Sequence, residues 1–409
     1  MKRIKNSDQM KLWFFNQNDR VSFRNAEQSI LVAIFPLLIV LGNVTLWIGD
    51  SSLTVPIAAI LAIFFSLLTL YTLFANREFS VQSTTAAFAL LVASAASSGI
   101  IAQLDGTEVT LQRFGASMIP YVLGLFVMVA FLDMPKPFSI RRSLELAAFV
   151  LIALIFFSAA NQLLSLALSG RSLALYNKSN IDIPLGGSNF LAMFLVFFSV
   201  VGWRWNKLLW IFLLVALILT ISRFGFIFFA AATIMTELHM RGHRRFVYTA
   251  TASCAFVLLG VALLAGNGVL DAMESVRSLQ SFAARIELWM MAREIIANSP
   301  LFGAGPGGFT AALEGANWKR SEWGAHNLAL TVWVEAGFFG VLMLCMAVFA
   351  FFRGEVVEVS EESDLLKLAV AWVLCFAMVE NAIEVSSMTL LLCYMLALSK
   401  MRFAGSISR

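Results

Sequence analysis

Residues 207–238 read KLLWIFLLVALILTISRFGFIFFAAATIMTEL, two apolar runs (207–221 and 224–238) split by Ser222-Arg223. Only Lys207, Arg223 and Glu237 carry charge in this stretch. Neither run alternates polar with apolar faces, so neither has a side for water. Runs that are apolar all round belong in a lipid environment. A single bent helix is the alternative to two short ones, but an arginine at mid-bilayer costs at least a few kcal/mol. The sequence therefore predicts two short helices with Arg223 at the water boundary.

The rest of the chain repeats the pattern. Apolar runs near the length that spans a bilayer lie at 29–48, 53–75, 85–104, 116–134, 144–168, 186–203, 246–265, 326–352, 366–382 and 385–399. With the opening pair, these predict an all-α polytopic membrane protein of about twelve transmembrane helices. Composition agrees: 60% of the 409 residues are hydrophobic and 13% charged, with a mean hydropathy of +0.83. A soluble domain carries about a quarter charged residues. The net charge of +4 gives no basis for a nucleic-acid partner. Cys254, Cys345, Cys375 and Cys393 fall in apolar runs without metal-site spacing, and no disulfide framework is expected.

The segment before residue 29 is polar and basic, and the run after it is long enough to span, so it reads as a retained first helix. With the N-terminus inside, the inner segments are 1–28, 76–84, 135–143, 203–207, 239–245, 353–365 and the tail, and counting a residue or two into the helix ends they hold 20 of the 29 Lys and Arg. Clusters such as Lys2-Arg3-Lys5, Arg141-Arg142 and Arg241/Arg244/Arg245 then read as topology signals. The predicted organisation is an inner segment 1–28, helices 1–9 over 29–265, an outer loop over 266–325, helices 10–12 over 326–400, and an inner tail 401–409.

Nine cations remain outside: Arg113, Arg171, Lys178, Arg223, Arg277, Arg285, Arg293, Lys319 and Arg320. They concentrate around the 266–325 loop, and loops of that length are usually functional. Within it, Ser281–Asn298 has helical periodicity and places Arg285, Trp289 and Arg293 four residues apart on one stripe. One reading is an interfacial helix whose arginines snorkel to headgroups. The other is an anion site, because the arginine fork matches phosphate.

Pro300-Leu-Phe-Gly-Ala-Gly-Pro-Gly-Gly-Phe309 follows. Its glycines, Gly303 and Gly305 first, permit tight turns and close backbone approach to a ligand. A plain re-entrant turn explains them equally, and no Lys-Ser/Thr follows to make a nucleotide loop. His239 and His243 sit in the basic inner turn without a carboxylate or cysteine to complete a metal site. His326 alone among the three histidines is outside. It reads either as an interfacial residue or as a base for a hydroxyl proton. Glu335, Glu380 and Glu384 are further outer or intrahelical carboxylates that could act as base.

His326-Asn327, nine residues, then Gly337-Phe-Phe-Gly340 resembles the signature of the O-antigen ligase and bacterial polysaccharide polymerase superfamily. Arg285-x-x-x-Trp289 followed by Pro300-Leu-Phe-Gly-x-Gly resembles the stretch preceding that histidine there. Ser222-Arg223 and Gly187-Ser-Asn189 also look similar to its motifs. Together these cover about 186–340. The resemblance implies a metal-independent, inverting glycosyltransferase of the bacterial inner membrane, with its site on the periplasmic face and no cofactor. The donor would be a glycan on undecaprenyl pyrophosphate. The acceptor would be lipid A-core in a ligase or a growing polysaccharide in a polymerase, and the ligase reading is preferred. His326 would be catalytic, and Arg223, Arg285 and Arg293 would bind the donor pyrophosphate. Ser222, Trp289, Asn327, Gly303, Gly305 and Gly337 would support them. The rival class, a transporter of polysaccharide or lipid-linked oligosaccharide, calls for repeated halves and midplane charge. No repeat is seen, and the cations sit at the outer rim.

Overall fold

The computed structural model describes residues 33–48, 51–76, 83–104, 109–131, 140–170, 176, 183, 185, 187–266, 268, 280–316, 324–354, 360–380 and 386–398. The inner segment 1–28, the tail 401–409, Arg171, Lys178, Arg277, Lys319, Arg320 and Glu384 lie outside them, as do most of the 76–84 and 135–143 turns. In chain order the elements are α1 over 33–41, β1 Asn43–Ile48, β2 Ser51–Pro56, α2 Ile57–Asn76, α3 Ser83–Leu104 and α4 Leu111–Ala130. Then come α5 Arg141–Leu168, α6 Ser188–Trp205, α7 Lys207–Thr220, α8 Arg223–Met240 and α9 Arg244–Leu264. The last are α10 Gln280–Asn298, α11 Gly308–Gly315, α12 Leu328–Arg353, α13 Ser360–Phe376 and α14 Ser386–Leu398.

Among the described residues, six helices are long and apolar enough to cross a membrane: α3, α4, α5, α6, α9 and α12. Three shorter apolar helices, at Ile57–Tyr71, α7 and α14, accompany them. Their exposed faces carry large apolar side chains, such as Phe64, Phe157, Phe256 and Leu264, as a lipid-facing surface requires.

Two boundaries depart from the sequence reading. The 29–48 run is not one helix, and the all-α expectation has an exception. Gly42, at φ 84°, ends α1, and β1 and β2 pair antiparallel, from Asn43 with Pro56 to Ile48 with Ser51. Val44, Thr45, Thr54 and Val55 are β-branched and suit a strand; they lie at the ends of the 29–48 and 53–75 runs, whose length argued for helix throughout. The 366–382 run likewise leaves its helix at Phe376, and 377–380 is a turn.

The opening pair forms two helices, as expected. Ile221 takes a left-handed conformation (φ 50°), and the Ser222 hydroxyl caps α8 by accepting from the Gly225 N–H at 3.2 Å. Arg223 is the first residue of α8 and is exposed.

Polar contacts sort the helix ends into two groups. At one end, Arg141 of α5 donates to the Trp205 carbonyl (2.8 Å), Arg204 pairs with Glu361 (2.8 Å), and Arg244 with Asp364 (2.6 Å). Arg241 pairs with Glu237 (2.8 Å), and Trp203 donates to the same carboxylate. The N-termini of α6, α8 and α12 lie at the opposite end of the bundle, and there the outer motifs meet.

Candidate functional site

His326 precedes α12 in a left-handed conformation, φ 46°. A non-glycine residue holds that conformation only where its neighbours over-determine it. Asn327 does this. Its side-chain oxygen caps α12 by accepting from the Leu330 N–H, and its amide donates to the Met378 carbonyl at 2.7 Å. The Leu328 N–H bonds the Ala377 carbonyl at 2.8 Å. The start of α12 is thus stitched to the turn that ends α13, which brings His326 to Glu380.

The His326 Nδ1 lies 2.5 Å from Glu380 Oε1. Arg285 Nη2 donates to Glu380 Oε2 at 2.7 Å, and its Nε donates to the Val379 carbonyl at 2.9 Å. The Asn189 amide also donates to Oε2, at 2.9 Å. Glu380 is 1% exposed. Burial pushes its carboxyl up, but the hydrogen bond and charge of His326, with those of Arg285, outweigh that and hold it below the usual carboxylate range. It lies beyond the end of α13, outside every membrane-length helix. Ionised Glu380 is acceptor-only, so Nδ1 carries the proton when the imidazole is neutral, and Nε2 is then the basic nitrogen.

Arg285 is 7% exposed, and its guanidinium stands 5.1 Å over the Phe224 ring. The stripe that one reading gave to lipid headgroups is turned inward at Arg285 and Trp289. Trp289 is fully buried, in a cluster with Ile286, Phe309 and Leu313. Arg293 donates from Nη1 to the Leu263 carbonyl (2.7 Å) and from Nη2 to the Ala265 carbonyl (2.5 Å). Its fork grips the C-terminus of α9, where orphan carbonyls and the helix dipole favour a cation. That is a different partner from the pyrophosphate expected of it.

The glycine run also finds protein rather than open space. Gly337 sits at φ 68° and ψ −169° inside α12, a region open essentially to glycine. The Ala304 N–H takes the Val334 carbonyl (2.6 Å), and the Phe338 N–H, its helical partner in a regular ladder, turns to the Pro300 carbonyl (3.0 Å). Trp333 Nε1 donates to Pro300 as well, at 3.0 Å, and Ser94 covers the Ala336 carbonyl at 2.9 Å. A Cβ on Gly337 would overlap the Leu301 carbonyl, one on Gly303 the Val334 carbonyl, and one on Gly305 the backbone of Gly99. These glycines let the outer loop exchange hydrogen bonds with a kinked membrane helix, which explains their spacing without a ligand.

Of the three carboxylates left open, Glu380 bridges the predicted base and a predicted cation. Glu335 is buried in α12 and accepts from Tyr121 Oη at 2.7 Å. Glu384 lies outside the described residues. Nothing in the local sequence marks Glu380 above the other two; it is distinguished only by where α13 ends.

The O-antigen ligase family (Wzy_C) matches residues 208–345. That match supports membership of the O-antigen ligase superfamily. It spans Arg223, Arg285, His326 and the Gly337 kink, and ends before Glu380. No curated protein matches the chain. The superfamily implies an enzyme of the glycosyltransferase type in a multi-pass membrane protein, with a bilayer and lipid-linked glycans as its general surroundings.

Proposed function

We propose that this chain is an inverting, metal-independent glycosyltransferase that moves a glycan from undecaprenyl pyrophosphate to an acceptor hydroxyl, acting as an O-antigen ligase on lipid A-core. The observation that carries the proposal is the His326–Glu380–Arg285 constellation at the converging N-termini of three helices. His326 Nε2 accepts the hydroxyl proton as the acceptor oxygen attacks the anomeric carbon, and the imidazolium that forms is stabilised by Glu380. The leaving pyrophosphate develops negative charge on the other side of that carbon. Arg223 meets it at the start of α8, where the helix dipole adds to its charge. Arg285 contributes charge to the same place while its fork orients Glu380. Polymerisation onto a growing polysaccharide is the same chemistry with another acceptor.

In this reading the chain spans the inner membrane about twelve times with both termini inside, and the 266–325 loop and the site are periplasmic. The cluster of Arg204, Arg241 and Arg244 at the opposite end of the bundle supports that orientation.

The experiment uses purified protein with a polyprenyl-pyrophosphate oligosaccharide donor and lipid A-core as acceptor. Transfer is expected at full rate in excess EDTA. His326→Ala is expected to lower it by about 10²–10⁴-fold while donor binding stays at the wild-type level. Transfer that requires added Mg²⁺, or normal transfer by His326→Ala, rejects the mechanism. Transfer to a second donor molecule instead of lipid A-core replaces ligase with polymerase. A reporter placed after Arg244 is expected inside, and one within 314–323 outside; the same side for both rejects the orientation.

A further inference from the structure

The hydrogen-bond chain around Glu380 continues past the residues assigned above. Asn189 stands in the first turn of α6. Its Nδ2 donates to Glu380 Oε2, and its Oδ1 accepts from the Ser222 hydroxyl at 3.0 Å. Ser222 in turn accepts from the Gly225 N–H. The orientation of the amide is dictated by chemistry: an ionised carboxylate has no proton to donate, so the nitrogen must face Glu380 and the oxygen the hydroxyl. Every donor therefore points the same way, from the α8 N-terminus through Ser222 and Asn189 to Glu380.

We infer that Asn189 is a positioning residue for the reaction. Its amide ties the carboxylate that orients His326 to the cap that starts α8, and so sets the base against Arg223. This rests on the transferase reading above. Attack and departure occur on opposite faces of one carbon, so the group that takes the proton and the group that meets the phosphate must keep a set separation. A misplacement of about 1 Å can cost 10²-fold. The Asn189 amide hydrogen-bonds both Glu380 and Ser222.

The charged groups facing this amide are Glu380, Arg285 from α10 and His326 before α12, with Arg223 following Ser222 on α8. The charged residues of α5 and α13 (Arg141, Arg142, Glu145, Glu361, Glu362, Asp364 and Lys367) belong to the other end of the bundle, as the contacts of Arg141 with Trp205 and of Arg204 with Glu361 require.

The discriminating variant is Asn189→Asp, beside Asn189→Ala, assayed for transfer from the polyprenyl-pyrophosphate oligosaccharide across a range of pH. A second carboxylate within hydrogen-bond reach of Glu380 cannot ionise together with it. While both are driven to ionise, the link is broken and transfer is slow. When the introduced carboxyl holds a proton, its O–H donates to Glu380 as the amide did. The ratio of Asn189→Asp to wild-type rate is expected to rise as pH falls, by about tenfold per unit while that proton is being taken up. Asn189→Ala, with no proton to gain, is expected to be slow by the same factor at every pH. Elution profile and thermal midpoint in detergent identify variants that are folded. A flat ratio for Asn189→Asp, or wild-type transfer by Asn189→Ala, overturns the inference. His326→Ala in the same assay separates the two failures. If it transfers normally, the catalytic reading falls; if it is inactive while the Asn189→Asp ratio is flat, only the role of Asn189 falls.

Discussion

The two ends of the bundle hold the same kinds of residue and use them differently. At the end away from His326, Arg204–Glu361, Arg241–Glu237 and Arg244–Asp364 are pairs of one cation and one carboxylate, with the arginine side chains 42–68% exposed. At the His326 end one carboxylate, 1% exposed, receives a guanidinium, an imidazole and an amide. Exposed pairs are screened and loosely held, so they contribute little to holding geometry. A buried carboxylate is tolerated only with its partners in place, and removing one leaves an uncompensated charge. The contrast teaches that burial and the number of partners, rather than the presence of an ion pair, mark where geometry is being held.

Substitutions at the two ends test that contrast. The largest effect is expected from Glu380→Gln. The amide carries one oxygen and an NH₂ group, so it cannot accept from His326 on one atom and from Arg285 and Asn189 on the other. By analogy with an amide replacing the carboxylate of an Asp–His pair, transfer should fall by up to about 10⁴-fold, read as kcat at saturating donor. A loss under tenfold would mean that His326 does not depend on Glu380.

Arg223→Ala comes next, with an expected loss of about 10²–10³-fold for removing charge that stabilises the departing pyrophosphate. Lys at that position should restore part of the rate, since it returns the charge without the fork. Full activity of Arg223→Ala would move the phosphate site elsewhere in the outer loop.

Gly337→Ala acts on structure rather than chemistry. The φ and ψ there cost a side chain about 1–3 kcal/mol before the overlap with Leu301 is counted. The variant should melt at lower temperature in detergent and lose transfer in parallel with folded protein. An unchanged midpoint would mean that α12 straightens without penalty.

The smallest effect is expected at the end away from His326. Asp364→Ala removes the partner of Arg244, and exposed pairs contribute about 0–1 kcal/mol. Transfer per folded molecule should be unchanged. A large loss there would erase the distinction between the ends.

What could be read along the chain was local. Apolar length predicts membrane helices because lipid leaves the backbone no partner outside the helix. Ser222-Arg223 predicts a break because an arginine cannot stay at mid-bilayer, and the cap at Ser222 is where that argument puts it. The periodicity of Ser281–Asn298 predicts α10. The pairing of β1 with β2 was not legible, because both strands lie at the ends of runs long enough to span, and that length argued for helix. His326 and Arg285 could be singled out as outward-lying charge, and the superfamily resemblance joined them. Their joint partner could not be found this way. Glu380 lies 54 residues from His326 and 95 from Arg285, and it differs from Glu335 and Glu384 only in standing where α13 ends against α12 and α6. The inward turn of the Arg285–Trp289–Arg293 stripe was equally hidden. Periodicity shows that residues share a face, but which neighbour covers that face depends on packing between segments far apart in the chain. Arg293 shows the limit most plainly: its fork suits a phosphate or a helix C-terminus equally well, and only the arrival of α9 beside it decides which it holds.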